Sequence, residues 1–147
     1  SIVAHQARFV STSLSGKILI CGFDNMSARK EAFEAWKANL SAHSNIKEQL
    51  LTIDGRLAAE ELQVLSIQGN DKRAIKEYEE RWLFDDSEAE ETVCSYKQTS
   101  FMADMIASIM VNVLVNFVAN LCKPIIDRDV PFFISYDAST MFTKMRM

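Results

Sequence analysis

The run Lys17-Ile-Leu-Ile-Cys-Gly-Phe-Asp-Asn-Met-Ser-Ala-Arg-Lys30 constrains the fold more than any other part of this 147-residue chain. An apolar segment, Ile18 to Phe23, stops at Asp24-Asn25, and a strongly patterned segment follows at once. A short continuous apolar run bounded by turn residues predicts a buried strand. Asp and Asn are good N-caps, so Asp24 or Asn25 is expected to open a helix that reaches about Leu40. Met26, Phe33, Trp36 and Leu40 recur at near-helical spacing, while Arg29, Lys30, Glu31, Glu34 and Lys37 cover the remainder. In open α/β sheets the carboxyl ends of strands face the ligand crevice. Asp24 is therefore an acid placed where a metal ion or a phosphate would sit.

The rest of the chain reads as a mixed α/β sheet. Residues 1–10 suggest a short strand before the polar link Ser11–Gly16, and Ser41–Asn45 is a second polar link. Leu50-Leu-Thr-Ile53 reads as a buried strand ending at Asp54-Gly55-Arg56, where Gly55 signals either a tight turn or a second strand end beside the same crevice. Glu61–Gln68 alternates polar and apolar residues, as a half-buried strand does, and Gly69-Asn70 breaks it. Asp71 to about Leu83 is a charged surface helix with Ile75, Tyr78 and Trp82 inward. The acidic stretch 85–91 reads as a solvated loop or helix end.

A long helix is expected from about Thr99 to Leu121, nearly long enough to span a bilayer. Asp104, Ser108, Asn112, Asn116 and Asn120 recur every four residues and form one slowly drifting polar stripe. A bilayer would penalise that stripe, so a core helix buried on most sides is the expectation. The stripe is either an intramolecular polar seam or part of a subunit interface. Pro124 ends the element. Val130–Tyr136 and Met141–Met147 then read as a terminal hairpin joined near Asp137-Ala-Ser139.

One domain with a real core fits the length. A net charge of −4, with Lys and Arg scattered among acids, argues against nucleic-acid binding. Cys21, Cys94 and Cys122 are odd in number and far apart, which suggests neither a disulfide framework nor a zinc site. The start, Ser1-Ile-Val-Ala-His, has no Met, basic segment or apolar signal core. A reducing cytoplasm is the expected setting, and a processed or partial chain would begin this way. His5 and His43 have no ligand-like spacing. Cys21 and Cys122 read as small buried hydrophobes, and Met141, Met145 and Met147 as flexible core filler.

The pattern strand–Gly-Phe-Asp-Asn-x-x-x-Arg–helix, with Asp24, Asn25 and Arg29, resembles the second half of the ThiF/MoeB group, relatives of the ubiquitin-activating enzymes. Ile53-Asp54-Gly55-Arg56, the strand Glu61–Gln68, the segment Thr92-Val-Cys-Ser-Tyr-Lys-Gln98 and the apolar helix continue the resemblance in order, closest to phage and bacterial versions. It departs where the glycine-rich phosphate loop, the arginine-bearing segment after the first unit and the zinc cysteines would stand.

The resemblance implies a single domain, 1–147, forming the C-terminal part of an adenylation domain without its nucleotide loop. The sheet would be mixed and mainly parallel, Rossmann-like, with antiparallel additions and one long buried helix. The complete enzyme would use ATP and Mg²⁺ to activate the C-terminal carboxylate of a ubiquitin-like or sulfur-carrier protein, and would dimerise. Asp24 would contact Mg²⁺, and Asn25 would either cap the helix or orient Asp24. Arg29 and Arg56 would be phosphate or substrate contacts, Arg29 alternatively a structural partner of an acid. Cys94, before the long helix and near Lys97, is the weaker thiolate candidate. A non-catalytic interaction module with the same fold is the competing expectation.

Overall fold

The computed structural model describes residues 16–42, 44–85 and 100–147. Strand β1 (Ile18–Cys21) leads into helix α1 (Met26–Ala42), a 3₁₀ segment (Ser44–Gln49) and strand β2 (Leu51–Ala58). Strand β3 (Glu61–Gln68) is followed by helix α2 (Lys72–Glu77), which widens into a π-type turn, Tyr78–Trp82. Helix α3 (Ser100–Leu121) and the strands β4 (Phe133–Asp137) and β5 (Phe142–Arg146) complete the order.

The five strands form one sheet in the order β1-β2-β3-β4-β5. Among the described strands only β1 and β2 are parallel, with Cys21 opposite Asp54, and α1 connects them. The pairs β2–β3, β3–β4 and β4–β5 are antiparallel. The fold is thus α/β with a mixed sheet, and the expected mainly parallel order is met in a single pair. The reason lies in the connections. Ala59-Glu60 closes β2 onto β3 in two residues, and such a short link can join only antiparallel neighbours.

Side-chain alternation divides the apolar residues between the two faces of the sheet. Leu50, Leu65, Ile67 and Phe133 pack with Phe33, Trp36 and Leu40 of α1 and with Ala74 and Tyr78. Leu51, Ile53, Val64 and Ile134 pack with Val113 and Phe117 of α3. The helical spacing foreseen for Met26, Phe33, Trp36 and Leu40 is met, since all four are buried. Arg29 departs from its expected surface role and is buried as well.

Three further expectations are corrected. Gly55 makes no turn: β2 runs straight through it, and the chain reverses at Ala59, whose φ of 48° is left-handed. What Gly55 permits is close approach, because a Cβ there would lie 2.5 Å from Met110 Sδ of α3. Helix α3 has the predicted limits, yet only Met102, Val113 and Phe117 are buried. A helix lying on one sheet face can bury one side only, and no described element covers the other. Cys122, Met141, Met145 and Met147 are likewise exposed rather than core, because Met145 lies in β5, the outermost described strand, Met141 and Met147 flank it, and Cys122 follows the end of α3.

Gly69 shows the reverse demand. A Cβ there would meet Lys47 O at 2.6 Å and Leu40 Cδ2 at 2.7 Å. The end of α1, the 3₁₀ segment and the end of β3 close around bare backbone.

Part of the polar stripe is an intramolecular seam. Asn116 Nδ2 donates to Asp129 O, and Asn120 exchanges two hydrogen bonds with the Arg128 backbone, all at 2.8 Å. These bonds fasten the segment between α3 and β4. The expected strand in 1–10, His5, His43, Cys94, Lys97 and most of the acidic stretch lie outside the described residues.

Candidate functional site

A cleft of about 590 Å³ opens where β1 ends, lined by Gly22 to Met26 and Arg29 on one side and by Gly55 to Leu57, Phe84, Ile106 and Met110 on the other. All four site residues expected from the sequence, Asp24, Asn25, Arg29 and Arg56, border it. They meet because β1 ends at Cys21 opposite Asp54, while its parallel neighbour β2 runs on through Gly55 and Arg56 past that end.

Asn25 performs both roles left open by the sequence. Its Oδ1 accepts from Ala28 N at 2.7 Å, which caps α1, and its Nδ2 donates to Asp24 Oδ1 at 2.9 Å. The amide thereby ties an exposed carboxylate to the start of the helix, where the dipole favours negative charge.

The two arginines are committed elsewhere. Arg29 Nη1 donates to Asp54 Oδ1, and at 3.2 Å to Gly55 O, while Nη2 donates to Phe23 O. Arg56 Nε donates to Asp54 Oδ2 at 2.8 Å, and its Nη2 to Trp82 O at 2.8 Å. Its guanidinium also lies about 6 Å from the rings of Tyr78, Trp82 and Phe84. Tyr78 OH completes the set with a 2.9 Å bond to Asp54 Oδ2. Asp54 is fully buried, and two guanidiniums against one carboxylate leave one net positive charge behind the cleft floor.

Asp54 as a hub was hidden by its type but not by its position. Counting by twos from Leu50 and Thr52 places Asp54 on the face that α1 and α2 cover. A carboxylate there needs buried partners. Arg29, one turn into α1, and Tyr78 supply them. Phe84, Ile106 and Met110 of the cleft wall carried no comparable signal.

Burial, and then the nearby Asp54 charge, push the Cys21 thiol from 9.0 up to about 12. The same two causes, in the same order, raise Tyr78 above its ordinary 10.0. Between those ordinary values and the raised ones the folded chain keeps protons that the unfolded chain releases. The unfolded state then binds fewer protons, so stability present below about pH 9 falls as pH rises towards 12. Urea midpoints at pH 8 and pH 11 should differ, with the lower value at pH 11. Equal midpoints would contradict this.

Among the described residues no group of three or more His, Cys, Asp or Glu side chains gathers to hold a metal. Mg²⁺ needs no such cage: it binds through one or two carboxylates and retains water and phosphate oxygens. Asp24, exposed and oriented by Asn25, fits that mode, and among the described residues no other carboxylate borders the cleft. Chemically the arrangement offers one carboxylate for a cation and a positive floor for an anion.

No model of a known protein family matches the chain, and no curated protein matches it.

Proposed function

We propose that this chain is the C-terminal part of a ThiF-like adenylyltransferase, with β1–α1–β2 as the parallel core of a Rossmann-like sheet. The complete protein would bind Mg-ATP and convert the C-terminal carboxylate of a ubiquitin-like or sulfur-carrier protein into an acyl-adenylate. One carboxylate oxygen of the carrier bonds to the α-phosphorus, and the bridging P–O bond to the β-phosphate breaks to release pyrophosphate. The setting would be the cytoplasm.

The observation that carries this reading is the meeting of Asp24, Asn25, Arg29 and Arg56 in one cleft where β1 ends beside its parallel neighbour β2. Mg²⁺, when bound, would supply charge neutralisation on the phosphates. Asp24 would hold the cation, Asn25 would fix the carboxylate that does so, and the arginines held by Asp54 would contribute positive potential towards bound phosphates. The glycine-rich loop that would cradle ATP must come from a further segment or a partner. The test is ATP–pyrophosphate exchange by the full-length protein given Mg-ATP and candidate carriers. Absence of exchange with every carrier removes the enzyme reading.

One observation favours a second reading, a non-catalytic interaction module: both guanidiniums are already occupied by Asp54. Such a module would show the cleft without the exchange.

The expected second copy has a surface to use. Val111, Val115 and Val118 form an exposed apolar stripe on α3, with Asp104 and Ser108 in line. The spacing is symmetric about residue 113. In an antiparallel pair Val111 would face Val115, Ser108 would face Val118, and Asp104 would come beside Lys123 of the other copy. A self-complementary patch of this kind suits a twofold interface. Sedimentation should show a dimer that Val115→Glu converts to monomer; a monomeric wild type, or a dimer untouched by the change, excludes this surface.

A further inference from the structure

Three contiguous depressions of about 490, 290 and 230 Å³ run between α2 with its π-type turn and the edge strand β5, all bordered by Glu77 and Arg146. Their walls carry Lys72, Arg73, Lys76, Arg81, Lys144 and Arg146. Against these stand Asp71, spent on capping α2, Glu77 paired with Arg146, and Glu80 near Lys76. Among the described residues no ion pair holds Lys72, Arg73, Arg81 or Lys144. In a chain of net charge −4 this is a local reversal of sign.

The groove is separate from the cleft. Cys21, Asp54, Leu65, Phe133 and Arg146 lie on one row across the sheet. Arg146 is therefore four strands from Cys21, about 19 Å at the usual strand spacing.

Arg146 lies over the Phe132 ring at 5.0 Å and meets Glu77 Oε1 at 2.6 Å. The contact is close but poorly aligned, for Glu77 Oε1 has no hydrogen bond among the described residues. The guanidinium is thus positioned without being saturated.

We infer that this groove binds an extended acidic segment of a partner protein, laid alongside β5. Charge complementarity selects an acidic occupant, and the row of shallow depressions suits a chain rather than a compact anion. β5 is the outermost described strand, so its outer edge presents backbone N–H and C=O groups that a polypeptide can pair. Such an occupant would alternate in character. Lys144 and Arg146 point to the α2 face, and Met145, opposite Ile134, points to the α3 face and is 65% exposed. Acidic residues would face the former and apolar residues the latter. The inference does not rest on the adenylyltransferase reading.

The test uses the full chain and a fluorescein-labelled (Glu-Val)₅ peptide, with (Lys-Val)₅ and a ten-nucleotide oligouridylate as alternatives. Fluorescence anisotropy should show saturable binding of (Glu-Val)₅ only, weakening with added salt. The double change Arg73→Glu with Lys144→Glu should weaken it about tenfold or more. The neutral pair Lys72→Gln with Lys144→Gln, checked by circular dichroism, should weaken it less and guards against misfolding. No saturable binding of (Glu-Val)₅, indifference of its binding to both variants, or tighter binding of the RNA would each overturn the proposal.

Discussion

Asp54→Asn should cost about 3–5 kcal/mol of folding stability, the loss expected when one member of a buried ionic cluster is removed. The substitution keeps the shape of the side chain and deletes its charge. Arg29, nearly as buried as Asp54, then holds a cation without its counter-charge, and Arg56 loses its closest anion. Tyr78 OH keeps an acceptor, but a neutral one. Against a typical domain stability of about 5–15 kcal/mol, the variant would be marginal or unfolded at 37 °C. Urea titration, with the midpoint multiplied by an unchanged slope, gives the number. Tyr78→Phe should cost less, about 1–3 kcal/mol, for one hydrogen bond to a charged group. Replacing the whole set by apolar residues (Arg29→Met, Asp54→Leu, Arg56→Met) should be far milder than Asp54→Asn alone, because no orphaned charge remains. If Asp54→Asn stays within 0.5 kcal/mol of wild type, the cluster is not the keystone inferred from its burial.

Asp24→Ala should have the opposite profile: little effect on stability, and a fall of about 10²–10³-fold in the rate of ATP–pyrophosphate exchange. Asp24 is exposed, and the helix cap is made by Asn25, so folding loses little with it. Exchange would lose the one carboxylate that borders the cleft among the described residues and could hold a phosphate-bound cation. Asn25→Ala separates the two roles that meet in that residue. It should cost about 1 kcal/mol for the lost cap and lower exchange only moderately, because the carboxylate remains but is no longer held. Full exchange by Asp24→Ala, in a protein whose wild type exchanges, would remove the metal role and leave the cleft with a different ligand.

The elements legible in the sequence are those with a strong local pattern. The strand before Asp24, the helix after it, the alternating strand 61–68 and the C-terminal hairpin were all set by periodicity and turn residues. What was not legible depended on which surface each element met. The four inward positions of α1 follow from spacing, yet Arg29 is buried with them because Asp54, 25 residues away, supplies its counter-charge. Gly55 looked like a turn because glycine marks turns in most strands; its actual cause is a helix packed directly on it, which no local signal announces. The apolar length of α3 suggested burial on most sides, but burial is a property of neighbours, and the described sheet offers only one face. The grouping of the site residues was legible in part: Asp24 does follow a strand end, and pairing of Arg29 with an acid was one of its two expected roles. The second strand, however, runs on past Arg56, and the identity of Asp54 as the shared partner needed the third dimension.

The missing side chain at Gly55 has a mechanical consequence. It lets α3 settle onto the strand until the Met110 thioether rests against backbone, and Met110 and Ile106 of that same helix face the cleft. There is no soft layer between them to absorb a shift. Anything that grips the outer face of α3 therefore holds a wall of the cleft in its other hand. Assembly and cleft width become one coordinate, and a larger residue at position 55 would act as a wedge on both at once.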